Sequence, residues 1–196
     1  MLVASSPALA GGKDVLTAFT GCDAKFFRVL KANADLFADA PMQAGADMAY
    51  LTVPDRTAAG KQDTRFKSPV KIEGLSVVGY SDEFTRTDKM TNVLWGFFIA
   101  EEPAVVAKAL NDMSKGAAKL QAGTTGFVRD EVYSGGRWHL VKASNSPLGL
   151  ERVLQAAPSD AKDFPGTRLT CSIQDAAGAA TKTEIDKVLK ALRPDI

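Results

Sequence analysis

The feature that most constrains the fold of this chain is its pair of cysteines, which lie near opposite ends of the sequence. Cys22 begins a helical segment, whereas Cys171 alternates with Leu169 and Ile173 in a stretch typical of a strand. The alternation puts these three side chains on one apolar face, which we expect to face inward. A disulfide would therefore fasten a leading helix to a sheet near the end of the chain. The alternative is two buried free thiols.

The local patterns predict at least three helices. The stretch CDAKFFRVLKANADLF has an apolar stripe at helical spacing, and we expect Thr20 or Asp23 to cap it. A second helix is predicted to begin at Pro103, a residue suited to the first helical turn. Thr181 and Glu184 have the spacing of a capping box at the start of the last helix.

The strands have a shorter period. The run NVLWGFFIA is apolar at nearly every position, which predicts a central strand covered on both faces. Val70 and Ile72 alternate out of phase with Leu75 and Val77, which predicts one strand with a bulge at Gly74.

Predicted strands precede a predicted helix in two passages of the chain, residues 69–115 and 126–192. This order indicates an α+β fold. We predict an antiparallel sheet of about five to six strands, with three or more helices packed mainly on one face. Residues 1–10 are interpreted as the residual tail of a signal peptide, and residues 11–196 as a single α+β domain.

The N-terminus indicates export. Ala8 and Ala10 supply the small residues that a signal peptidase requires before Gly11. A second interpretation is lipidation, because Phe19–Cys22 loosely resembles a lipobox in which Cys22 would be acylated. A flexible apolar leader on a protein that is not exported is the third. Export to the periplasm or the outside of the cell would also favour a Cys22–Cys171 disulfide.

Charge and hydropathy disfavour several classes of partner. The chain has 24 basic and 23 acidic residues and a net charge of +1, so no field of one sign favours nucleic acid or an anionic membrane. No apolar run approaches the roughly 20 residues that span a bilayer. One histidine and two distant cysteines make no zinc signature, and no glycine-rich phosphate motif is present. No cofactor is therefore predicted.

The clearest candidate for recognition is the predicted hairpin around Gly135-Gly136, whose register pairs Tyr133 with Trp138. Tyr, Trp and Arg are enriched at binding hot spots. We therefore predict a binding role for Tyr133, Trp138 and their neighbours Arg137 and His139. A purely structural role for the aromatic pair is the alternative.

These patterns favour an exported, non-catalytic binding or accessory module whose partner is a protein or a small apolar ligand. The alternative is a small hydrolase-like enzyme that uses His139, the sole histidine, with Asp130 or Glu131 as a general base. A structural domain of a larger envelope assembly is the third possibility. The oligomeric state does not follow from the sequence.

Overall fold

A computed structural model describes residues 11–88, 90–114, 119–141, 149–175 and 180–196. The predicted signal-peptide tail, residues 1–10, lies outside the described residues. The described segments contain four α-helices: α1 (Gly12–Phe19), α2 (Ala24–Ala32), α3 (Pro103–Met113) and α4 (Lys182–Leu192). A short 3₁₀ helix, Ala34–Phe37, follows α2. The strands are β1 (Met42–Ala44), β2 (Ala49–Leu51), β3 (Asp63–Ile72), β4 (Leu75–Arg86), β5 (Thr91–Ile99), β6 (Gln121–Gly123), β7 (Gly126–Ser134), β8 (Arg137–Val141), β9 (Leu150–Pro158) and β10 (Thr167–Asp175).

The fold is α+β, as predicted, but the main sheet is larger than expected. Eight antiparallel strands form it in the order β3-β4-β5-β10-β9-β7-β6, with β8 also paired to β7. The prediction of five to six strands is therefore wrong. Part of the difference comes from β6, which has only three residues and is too short to show an alternating pattern.

The predicted bulge at Gly74 is a second correction, because the chain reverses direction there. Glu73 and Gly74 have φ angles of 49° and 81°, the left-handed values that a two-residue hairpin turn of type I′ requires. Ile72 of β3 consequently pairs with Leu75 of β4. The change of phase in the sequence marks a turn between two strands.

The centre of the sheet is the antiparallel pair β5 and β10. As predicted for the apolar run, both faces of β5 are covered. Trp95 and Phe97 are fully buried on the face that also carries Cys171, which we call the helix-side face. On the outer face, Phe98 stacks against Phe164 of the β9–β10 loop, with ring centroids 4.0 Å apart.

All four helices contribute buried residues to one hydrophobic cluster with the helix-side face. The predicted capping box of α4 is confirmed, since Thr181 accepts a hydrogen bond from the Glu184 amide and the Glu184 carboxylate accepts one from the Thr181 amide. Asp23 caps α2 by accepting a hydrogen bond from the Lys25 amide. The prediction of a single domain for residues 11–196 agrees with this cluster and stays a prediction.

A disulfide joins Cys22 to Cys171, whose Cα atoms are 5.4 Å apart and which are separated by 149 positions in the sequence. Both residues are fully buried. Cys22 lies in the turn between α1 and α2, whereas Cys171 lies in the middle of β10. Neither the two free thiols nor an acylated Cys22 fits this arrangement, because both sulfur atoms are bonded to each other.

A buried ionic network attaches the end of α4 to the sheet. Arg193 is fully buried and donates hydrogen bonds to both carboxylate oxygens of Asp82, at 3.3 and 3.0 Å, and to Asp195 at 2.9 and 2.8 Å. Its guanidinium lies 4.9 Å from the ring centroid of Trp95 and 5.1 Å from that of Phe27. The helix end is thus held by charge and by aromatic contact together.

Candidate functional site

The hairpin that the sequence singled out forms with the predicted register. Tyr133 pairs with Trp138 and Val132 pairs with His139 across β7 and β8. Neighbouring residues of a strand point to opposite faces. Tyr133 and Trp138 therefore lie on the helix-side face, whereas Arg137 and His139 lie on the outer face. The structure thus divides the four predicted binding residues between two surfaces.

The aromatic pair has extensive structural contacts. The rings of Tyr133 and Trp138 lie 5.2 Å apart, and both side chains are half-buried against the hydrophobic cluster. The Arg152 guanidinium covers Trp138 at 4.6 Å from the ring centroid, and Glu131 holds Arg152 with two hydrogen bonds of 2.9 and 2.8 Å. These contacts hold the half-buried Trp138 in place on the helix-side face.

His139 lies on an exposed part of the hairpin. Its Nε2 atom is 3.2 Å from the carbonyl oxygen of Ser134. Asp130 shares the outer face at the diagonal position, as the sequence predicts, and burial, together with the nearby charge of Glu151, raises the pKa of Asp130. Glu131 points to the opposite face and is paired with Arg152. Of the two carboxylates predicted to act with His139, the geometry thus leaves Asp130 on the same face.

A groove that the sequence analysis did not anticipate lies where the central strands meet the start of α4. Arg86, Thr91 and Asp175 are direct neighbours in register across β4, β5 and β10, on the helix-side face. The Arg86 Nη2 atom donates a hydrogen bond of 2.7 Å to Asp186 of α4, which brings the helix over the row. The resulting groove has a volume of about 390 Å³.

Three buried side chains line the floor of this groove and charged or long side chains line its rim. The floor consists of Thr91, Asp175 and Ile185, and the exposed rim of Arg86, Asp88, Met90 and Lys182. We call this site the Asp175 groove. Its lining combines two carboxylates with two cationic groups, so it is charged yet close to neutral overall.

Asp175 is the most unusual residue of the groove. Its side chain is only 2% exposed, and its Oδ1 atom has no hydrogen-bond partner. Nearly all buried polar atoms in proteins are hydrogen-bonded, so an unpartnered carboxylate oxygen needs an explanation. A ligand that donates a hydrogen bond into the groove would supply one.

The sequence does contain a signal for Asp175, which the predictions above did not use. Leu169, Cys171 and Ile173 alternate on the inward face of β10, and the same period of two leads to Asp175. An acidic residue at an inward position of a strand is rare enough to mark a candidate site. Arg86 and Thr91 could not be added without knowledge of the register.

A second groove, of about 480 Å³, lies on the outer face beside Phe164. Arg65 places its guanidinium 4.6 Å from the centroid of the Phe164 ring, and Asp63 lines the same groove. Burial raises the pKa of Asp63, whose Oδ1 atom also lacks a partner. Asp63 is nevertheless half-buried, so water reaches it more readily than Asp175.

The described residues contain no group of three or more His, Cys, Asp or Glu side chains that could hold a metal ion. Within the same residues, no helix has the length and apolar character needed to cross a membrane. Comparison of the chain with models of protein families, with curated proteins and with solved structures finds no match. Its function must therefore be inferred from the geometry of its own residues.

Proposed function

We propose that this chain is an exported, non-catalytic binding module that holds a small polar ligand in the Asp175 groove. The unpartnered, 2%-exposed Oδ1 atom of Asp175 is the observation that carries this proposal. The sequence alone favoured a protein partner or an apolar ligand. A carboxylate at the floor of the groove favours a ligand that donates hydrogen bonds.

Without a ligand, the protein keeps the Oδ1 atom of Asp175 buried and unpaired. A buried acceptor that has lost its water and gained no hydrogen-bond partner destabilises the folded state by roughly 1–3 kcal/mol. Asp175 belongs to the central strand β10, where an apolar side chain would fit the pattern of Leu169, Cys171 and Ile173. A hydrogen-bond donor of the ligand that pairs with Oδ1 would remove this penalty. The free energy gained in this way would contribute to the affinity for the ligand.

Export is supported by the disulfide between Cys22 and Cys171. Disulfides persist in the periplasm and outside the cell and are rare in the reducing cytosol. The Ala8 and Ala10 pattern agrees with the same compartment. The disulfide and the N-terminal pattern thus favour an oxidising compartment as the place where the module works.

The hydrolase alternative has weaker support. His139 is exposed, and its ring contacts the carbonyl oxygen of Ser134. Of its two candidate carboxylate partners, Glu131 is bound to Arg152. A general base needs an oriented imidazole beside a protected reaction site. A contact role for Tyr133, Arg137, Trp138 and His139 stays a prediction. It is best tested by replacing the exposed pair Arg137 and His139 with alanine and comparing partner binding.

A thermal-shift screen tests the proposed function. The wild-type protein and Asp175→Asn are heated with a library that contains amines, amino acids, carboxylates, neutral sugars and apolar compounds. A ligand present at 100 times its Kd stabilises the folded state by about 2.7 kcal/mol. For a chain of this size, that free energy raises Tm by about 5–10 °C.

We expect at least one class of compound to raise the Tm of the wild-type protein and to leave that of Asp175→Asn almost unchanged. Asp39→Asn is the matched control, because Asp39 is exposed and does not line the groove. A library without any stabilising compound would contradict the proposal. So would a stabilising compound that acts equally on Asp175→Asn.

A further inference from the structure

We infer that the ligand of the Asp175 groove is a small zwitterion with an ammonium group and a carboxylate, of the size of an amino acid. This inference rests on the proposed function and specifies the chemistry that the groove selects. It follows from the placement of the charges, from the volume of the groove and from its apolar wall.

The floor selects an ammonium group. Asp175 Oδ1 accepts no hydrogen bond, and Thr91, beside it in register, already has its hydroxyl oxygen 3.4 Å from Arg86 Nε. A charged donor forms a shorter and stronger hydrogen bond to a carboxylate than a neutral donor does. A ligand anion at this depth would instead face a buried negative charge. The floor therefore favours the cationic end of a ligand.

The rim offers a place for a ligand carboxylate. Lys182 is the first residue of α4, and neither a hydrogen bond nor an ion pair engages its ammonium group among the described residues. The positive end of the helix dipole lies in the same turn, which adds to the attraction for an anion. Arg86 is less available, because its guanidinium is paired with Asp186.

The unpaired charges of the lining favour a ligand that carries both a positive and a negative group. Asp186 compensates Arg86, so the charges of the lining that stay unpaired among the described residues are one cation, Lys182, and two carboxylates, Asp88 and Asp175. A ligand with a single charge would leave the opposite set of groups without compensation. Asp88 is exposed and unpaired in the described structure, so it strengthens the preference for an ammonium group over an anion.

Size and shape limit the rest of the ligand. A volume of about 390 Å³ lies near the lower end of the range for ligand sites, which extends from roughly 300 to 1,000 Å³. Met90 is 40% exposed at the rim, and Ile185 is buried at the floor. These apolar side chains provide a wall for a short aliphatic side chain of the ligand.

The test uses three compounds that share one carbon skeleton: L-leucine, isoamylamine, which lacks the carboxylate, and 4-methylpentanoate, which lacks the ammonium group. Binding to the full chain is measured by isothermal titration calorimetry, and the site is located by NMR shift changes at the amides of Thr91 and Ile185. We expect L-leucine to bind and each half-ligand to bind at least tenfold more weakly.

Two variants assign the two ends of the ligand. Asp175→Asn is expected to weaken L-leucine binding at least tenfold and to reduce the affinity for isoamylamine equally. Lys182→Gln is expected to weaken L-leucine binding severalfold and to leave isoamylamine binding unchanged. Lys190→Gln, which changes an exposed lysine of α4 outside the groove, is the matched control. Circular dichroism and Tm of each variant show that it is folded.

The outcomes separate the two proposals. If isoamylamine binds the groove as tightly as L-leucine, or if a neutral sugar or 4-methylpentanoate binds it more tightly, the zwitterion inference is wrong and the binding function stands. If the other nineteen standard amino acids and all three leucine-type probes leave the amides of Thr91 and Ile185 unshifted, the inference is also wrong. If no compound of the wider library shifts those amides either, the proposed function falls with it.

Discussion

Removal of the disulfide should produce a large and measurable loss of stability. Cys22 and Cys171 are 149 positions apart, so their bond closes a loop that includes about three quarters of the chain. In the chain-entropy model, a cross-link over a loop of about 150 residues stabilises the folded state by about 5 kcal/mol at 25 °C. Cys22→Ala with Cys171→Ala removes the bond and introduces no polar atom into the two buried positions.

The assay is urea unfolding followed by tryptophan fluorescence, with and without a reducing agent. With a urea m-value of about 2–3 kcal/mol/M, a loss of about 5 kcal/mol lowers the unfolding midpoint by about 2 M. The reducing agent should lower the wild-type midpoint by a similar amount and leave the double variant unchanged. A double variant as stable as the oxidised wild-type protein would refute the reasoning, because the bond would then restrict the unfolded chain very little.

Two further predictions concern the ionic network at the end of α4. Arg193→Met should lower the free energy of unfolding by about 3–5 kcal/mol in urea titrations, because it removes the only hydrogen-bonded cation of the buried Asp82 among the described residues and leaves Arg56, 3.4 Å away, as its remaining ion-pair partner. Adding Asp82→Asn should restore part of that loss. Burial opposes ionisation of Asp195, but the hydrogen bond from Arg193 and the charges of Arg193 and Arg56 outweigh it and hold the pKa of Asp195 below its ordinary value. Its stabilising effect should therefore be complete above about pH 5 and be lost as the pH falls further, so the stability difference between wild-type protein and Asp195→Asn should shrink between about pH 5 and pH 2. A constant difference over that range would show that the Asp195 charge does not contribute.

The elements that the sequence predicted correctly have short-range signals. Thr181 and Glu184 are three residues apart, and the hairpin turn at Gly135-Gly136 needs no information beyond its own strands. Helix α1 was missed because it has only eight residues and its N-cap residue, Gly11, has no side chain that would mark a helix start; Asp14 instead accepts a hydrogen bond from the Gly11 amide. The turn at Gly74 was misinterpreted because a phase change in one strand and a reversal between two strands produce the same apolar pattern.

The candidate site could not be assembled from the sequence, because its residues meet only through strand pairing. Arg86 and Thr91 are close in sequence, yet Asp175 reaches them through the register of β10 against β5. The same applies to Arg193, since a charged residue near the end of a chain is ordinarily exposed. Its complete burial depends on Asp82 and Trp95, which belong to strands about a hundred residues earlier.

The pairing of β5 with β10 at the middle of the sheet also governs when this protein can fold. Thr91, the first residue of β5, pairs with Asp175, the last residue of β10. The central pair of strands therefore cannot form until the residues of β10 have been synthesised. Until then the leading helices lack the surface on which they are later buried, and pairings between distant segments form slowly. A nascent chain without β10 therefore leaves one edge of β5 unpaired. We expect a chain that stops short of β10 to expose the apolar residues of β5 and to be degraded readily by proteases.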